Sequence, residues 1–170
     1  MATTSTRDIT ITALLIAVVF ICTSYIRVTL VPGMGLVHMG SAALFAASVL
    51  FGKHKGAIAG SVGMALFNIT SEWIIWAPFT FVIRYVMGYV IGSISHLGGA
   101  NGRSFWLNIL AGLVATLWFI PSTYLAGVVI FGSWAAPIAA ITSNLLQALL
   151  MYAVGLPIAM VLGRLRTTRA

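Results

Sequence analysis

The feature that most constrains this chain is how rarely a charge interrupts it. Six apolar stretches follow one another along its length, each bounded by Gly, Pro or a basic residue. Such runs cannot tile a water-facing surface, which needs roughly a quarter or more of its residues charged. Here the figure is 6%, and 61% of residues are hydrophobic. Lipid is therefore the main solvent, and in lipid only helices satisfy their own backbone groups over runs of this length. The expected spans are about 9–30, 37–51, 57–70, 79–95, 105–131 and 137–162. They describe an all-α membrane protein of six transmembrane helices in one bundle, with 1–170 as a single integral membrane domain. At about 20 residues per crossing, six crossings leave no room for a separate soluble domain. The second and third spans are short, about 22 Å each at 1.5 Å per residue, and must borrow length from their flanks or be covered by neighbours.

The formal charge of +7 would suit nucleic-acid binding if the basic residues gathered on one face. They do not; they punctuate the apolar runs singly or in pairs. Counting them loop by loop with the N-terminus inside places Arg7, Lys53, Lys55, Arg103, Arg164, Arg166 and Arg169 on the cytoplasmic side, seven of the nine. Both termini are then cytoplasmic, in a multi-pass protein of the cell membrane. The polar N-terminal segment leads into a run too long for a cleaved signal peptide, so it reads as a retained first span. Trp73, Trp76 and Trp134 fall in the external loops, as interfacial tryptophans do. Cys22, the one cysteine, reads as a buried apolar side chain.

No GxSxG, HExxH, CxxC or GxxxxGK[ST] occurs, and Asp8 and Glu72, the only acids, fall on opposite sides of the membrane. Metal hydrolysis and paired-carboxylate catalysis are disfavoured on that ground, ATP hydrolysis through a phosphate-cradling loop is excluded, and no metal or cofactor is expected. An autonomous ion-coupled carrier is disfavoured because no acid lies well inside a span. What remains is a polar and aromatic set on the outer half. Arg84 lies one to two turns inside the fourth span, where a charge is costly unless it faces a partner or a cavity; pairing with Glu72 and contact with a ligand are both open. Tyr85 and Tyr89 share a helical face close to it. Asn144 and Gln147, three residues apart in the sixth span, carry amides that need partners, either on another helix or on a ligand. With His38, Ser41, Asn68, Glu72, Trp73 and Trp76 they outline a pocket for a small, flat, polar ring compound, stacked on aromatic faces and identified by a few hydrogen bonds. A ligand-free structural subunit, its polar residues stitching helices together, is the competing class.

The run HMGSAALFAASVLFGKHKGAIAGSVGMALFN, the tryptophan-bearing loop after it and WAPFTFVIRYVMGYVIG resemble the substrate-binding S-components of energy-coupling factor (ECF) vitamin transporters. The likeness covers nearly the whole chain and is nearest the riboflavin, pyridoxine, hydroxymethylpyrimidine and pantothenate branch. It implies a high-affinity vitamin-binding subunit without enzymatic activity, which joins a transmembrane T-component and two cytoplasmic ATPases and topples in the membrane to release its cargo inward. It also implies that Ala13 and Ala17, in the first span's AxxxA pattern, dock on the T-component. The substrate-binding residues it points to are His38, Glu72, Trp73, Trp76, Arg84, Tyr85, Asn144 and Gln147. Ser41 and Asn68 stand where many relatives carry acids, so the vitamin is left open. A hydroxymethylpyrimidine or pyridoxine-like ring is the leading expectation, with Glu72 meeting a protonated or amine-bearing ring. Pantothenate, whose carboxylate would meet Arg84, and riboflavin are the alternatives.

Overall fold

The structure, a computed structural model, describes residues 5–167; Arg169 and the side chain of Arg166, both counted in the charge asymmetry, lie outside it. Helix α1 (Thr6–Tyr25) starts behind Ser5, whose hydroxyl accepts the Arg7 N–H at 3.3 Å. A hairpin of two antiparallel strands follows, β1 (Arg27–Val31) and β2 (Gly35–His38). Then come α2 (Gly40–Phe51), α3 (Lys53–Ile69), α4 (Ala77–Ser95), α5 (Phe105–Phe131), α6 (Ile141–Leu150) and α7 (Leu156–Thr167).

Four helical segments are long and apolar enough to cross a membrane: Thr6–Tyr25, Ile74–Ser95, Phe105–Phe131 and Ala136–Leu165. Helix α2, at 12 residues, and α3, at 17, are shorter. The helical membrane architecture agrees with the expectation, and the fifth span ends where expected. Other boundaries differ. The second span starts at Gly40 and not at 37, because Val37 and His38 belong to β2, and the third starts at Lys53, four residues before the expected 57, directly after Gly52 ends α2. The first span stops at Tyr25 instead of running to residue 30, and the residues beyond it form a strand, so the chain is not purely helical. RVTLV has β-branched residues at Val28, Thr29 and Val31, which favours extended backbone, and Gly33, at φ +76°, allows the reversal in VPGMG. The sixth span is not one regular helix. It opens with a tight turn over Ala136–Ala140 and widens over Met151–Gly155, just before Pro157, which has no N–H to continue the ladder.

Packing is centred on α3, which lies against α1, α2 and α4. Its contact with α4 is backbone to backbone: a Cβ added at Gly92 would stand 2.4 Å from the Lys53 Cα, and one at Gly88 would stand 2.8 Å from the Ala57 Cα. Small residues thus supply the close approach that holds helices together without a hydrophobic driving force. Leu44, Phe45, Met64, Met87, Ile91 and Met151 fill the interior. The C-termini of α1, α3 and α5 and the N-termini of α2, α4 and α6 share the end of the bundle occupied by the hairpin.

Candidate functional site

Beneath the hairpin lies a cavity that opens at its mouth. The hairpin supplies Met34, Leu36 and His38; α3 supplies Met64 and Asn68; the loop before α4 supplies Trp73 and Trp76. Thr80, Ile83 and Arg84 of α4, Phe119 and Thr123 of α5, Thr23 of α1 and Asn144 of α6 complete it.

Four contacts seat the hairpin over this space. The Gln147 side chain grips one residue of β2 twice: its Oε1 accepts the His38 N–H at 2.8 Å and its Nε2 donates to the His38 carbonyl at 2.9 Å. Gly35 lies so close to α6 that a Cβ there would stand 2.4 Å from Ser143 Oγ. At the tip, the Trp76 indole donates to the Gly33 carbonyl at 2.9 Å. At the edge, Arg27 pairs with Glu72 at 3.3 Å while its guanidinium sits 4.8 Å from the centre of the Phe67 ring. Glu72 also accepts the Trp73 indole N–H at 2.9 Å. Its own backbone N–H, then Trp73 and Arg27, hold the carboxyl below its ordinary range.

The polar groups facing the cavity differ in how far they are already satisfied. Asn68 donates to Thr80 at 2.7 Å. Arg84, only 6% exposed, donates from Nη1 to Ser41 Oγ at 3.0 Å and to Met87 Sδ at 3.3 Å, and its guanidinium lies 4.3 Å from the centre of the Phe119 ring. Asn144 is buried, and its side-chain amide makes no hydrogen bond with the described residues. Nδ1 of His38 is buried without a partner; outside the cavity lining, so are Oγ of Ser143 and, elsewhere in the bundle, the hydroxyl oxygens of Ser93, Ser95 and Thr116 and Oδ1 of Asn108. A buried polar group left unpaired is costly, and in the cavity wall His38, Arg84 and Asn144 keep hydrogen-bonding groups that the described residues do not engage.

Of the eight candidate binding residues, the structure brings five to the cavity: His38, Trp73, Trp76, Arg84 and Asn144. The other three lie elsewhere. Glu72 is largely exposed and is held by Arg27, which answers the pairing left open for Arg84: the acid goes to Arg27 and not to Arg84. Tyr85 is 37% exposed and stacks on Tyr89, with ring centres 6.5 Å apart, on the outer face of α4. Gln147 is engaged by the β2 backbone. Sequence reasoning missed Thr23, Met64, Thr80, Phe119 and Thr123 as lining. Single Thr, Met and Phe residues in an apolar run carry no signal of their own, and only the helical phase relative to Arg84 would have found Thr80. Ala13 and Ala17 lie on an exposed face of α1, beside Leu14 and Val18.

A family model described as "ECF-type riboflavin transporter, S component" matches residues 3–164. A protein of Pyrococcus woesei described as "Uncharacterized protein in gap 3'region" is 30% identical over 106 residues, which make up 62% of this chain and 71% of that protein.

Proposed function

The chain belongs to the family of ECF-type riboflavin transporter S components, and from that premise we propose that it captures a water-soluble vitamin or vitamin precursor in the cavity beneath its hairpin. It is a multi-pass protein of the cell membrane, and its family comprises substrate-binding transporter subunits, not enzymes. The observation that carries the proposal is the cavity itself: Trp73, Trp76 and Phe119 offer stacking faces, and Arg84 and Asn144 retain hydrogen-bonding capacity toward the open space. In the proposed arrangement residues 1–170 form one membrane domain that crosses six times, with the short α2 and α3 counted as crossings. Both termini are cytoplasmic, so the hairpin end faces outward. His38, Trp73, Trp76, Arg84 and Asn144 contact the ligand, while Gln147 and Glu72 hold the hairpin above it. The exposed Ala13 and Ala17 face docks on a T-component, and two ATPases attached to that component hydrolyse ATP. Riboflavin, named in the family description, is one candidate, its flat ring suited to the aromatic side chains of the lining. For a protonated or amine-bearing ring the proposal is weaker, because Glu72 lies outside the lining.

Uptake of labelled vitamins by cells carrying the chain together with a T-component and the two ATPases tests this reading. Accumulation of one vitamin should require all the subunits. Ala13→Trp should abolish uptake while leaving binding by the isolated chain intact, because the bulk blocks docking and not the cavity. Uptake without the ATPases, or undiminished uptake in Ala13→Trp, contradicts the proposed arrangement.

A further inference from the structure

The strongest unmet demand in the molecule is a positive charge. Arg84 is buried about two turns inside α4, and its hydrogen bonds go to a neutral hydroxyl and a thioether. Both leave from Nη1, so Nη2 and Nε have no protein acceptor among the described residues. The chain has two acidic side chains in all. Asp8 is bonded to Lys55, where α1 and α3 both begin, at the end of the bundle away from the hairpin. Glu72 is bonded to Arg27 outside the cavity lining. Neither carboxylate meets Arg84. Phe119 stabilises the guanidinium through its ring face, but a ring quadrupole does not replace a counter-charge. Arginine in a spanning helix is costly unless paired, and an unpaired buried charge costs more than a paired one returns. Arg84 nevertheless lines the cavity beneath the hairpin, beside His38, Asn68 and Asn144.

We propose that the ligand supplies the missing anion: the cavity is built for an organic monocarboxylate, whose carboxylate meets the unengaged edge of the Arg84 guanidinium. This rests on reading the cavity as the binding site. Guanidinium and carboxylate are planar forks that pair through two parallel hydrogen bonds, so a single arginine suffices for one carboxylate. A dianionic phosphate ester would call for a second cation or a set of backbone N–H donors, and the lining offers neither. His38, Asn144 and Thr123 bring neutral hydrogen-bonding groups, and Met34, Met64 and Trp76 bring apolar surface, so the rest of the ligand is an uncharged body with hydroxyl or amide groups. The same logic orders the vitamins considered above: a carboxylic acid satisfies Arg84, whereas a neutral ring leaves it unpaired and an amine-bearing ring opposes it.

Matched acid and neutral pairs test the charge alone. The purified full chain in lipid nanodiscs is titrated with pantothenate against panthenol, nicotinate against nicotinamide and biotin against biotinamide, with riboflavin and pyridoxine as uncharged vitamins and sodium phosphate as an inorganic anion. One acid should bind, its neutral partner should bind about 100-fold more weakly or worse, and Arg84→Gln should abolish that preference. Arg84→Lys should retain part of it, since the charge survives and the fork does not. In the ligand-free chain, Arg84→Met should leave the melting temperature unchanged or raise it, because it removes a charge without a counter-ion. An uncharged vitamin that saturates the site while every acid fails, or phosphate that binds as well as the acids, overturns the carboxylate and leaves the vitamin-binding reading standing. A lower melting temperature in Arg84→Met with unaltered acid affinity in Arg84→Gln assigns the arginine to packing and equally overturns it. If nothing binds, both readings fall.

Discussion

Gln147 commits both halves of its amide to the backbone of one residue, His38. Both sides of the contact are buried, so its loss leaves a backbone N–H and a carbonyl unsatisfied, each worth about 1–3 kcal/mol. Gln147→Leu should therefore lower unfolding stability by about 2 kcal/mol or more and weaken ligand binding in step, as the hairpin loosens over the cavity. Thermal unfolding with and without ligand reads both effects; a Gln147→Leu protein as stable as the original would remove the clamp from the account. At this scale the polar residues were legible because a charge or amide inside an apolar run has to be accounted for: Arg84 and Asn144 stand out in any reading of their helices. What a list of residue types hides is phase. Arg84 and Tyr85 are chain neighbours, but successive side chains on an α-helix point about 100° apart. The arginine faces inward, and the tyrosine faces out to stack on Tyr89. Gln147 shares a face with Asn144 but lies a turn deeper, where β2 meets it first.

The elements divide into those whose pattern has one interpretation and those with two. Helix α5 is apolar throughout, begins behind Ser104, whose Oγ accepts the Leu107 N–H at 3.4 Å, and ends at Gly132 in the left-handed conformation; length, cap and stop agree, and its limits were legible. The segment from Arg27 to Leu30 is apolar enough to extend a helix and also suits a strand. A charged residue at its head and the glycines after it decide for the hairpin, which pairs Arg27 with His38 and Val28 with Val37 across the register. The helix pairs show why small residues recur. Gly92→Ala puts a methyl group 2.4 Å from the Lys53 backbone, so α3 and α4 must separate. Overpacking of this kind typically costs about 1–3 kcal/mol, and Gly92→Leu should cost more and reduce the folded yield. The comparison is a melting series in one detergent; an alanine variant melting within about a degree of the original would mean that the helices are not in backbone contact.

Over the whole molecule, charge does two separate jobs. Most of the basic residues lie on the side expected of the cytoplasm, and their arrangement carries orientation and nothing about a ligand. The structure gathers the exceptions at the other end. Arg27 and Glu72 neutralise each other at the rim of the hairpin, and Arg84 alone is left inside. The sequence made the scarcity of charge plain but not which charges neutralise which, because Glu72 stands within loop reach of both arginines and only the hairpin settles the pairing. The most direct test of the account is an equilibrium titration of the purified chain, without partner subunits, with B vitamins and their precursors, followed through the fluorescence of Trp73 and Trp76 in the cavity wall. The prediction is saturable quenching by one compound with a Kd below about 1 μM, or roughly 8 kcal/mol of binding, and loss of that quenching in Arg84→Gln. Absence of saturable binding by any of them would contradict it, and the buried polar residues would then be no more than contacts between helices.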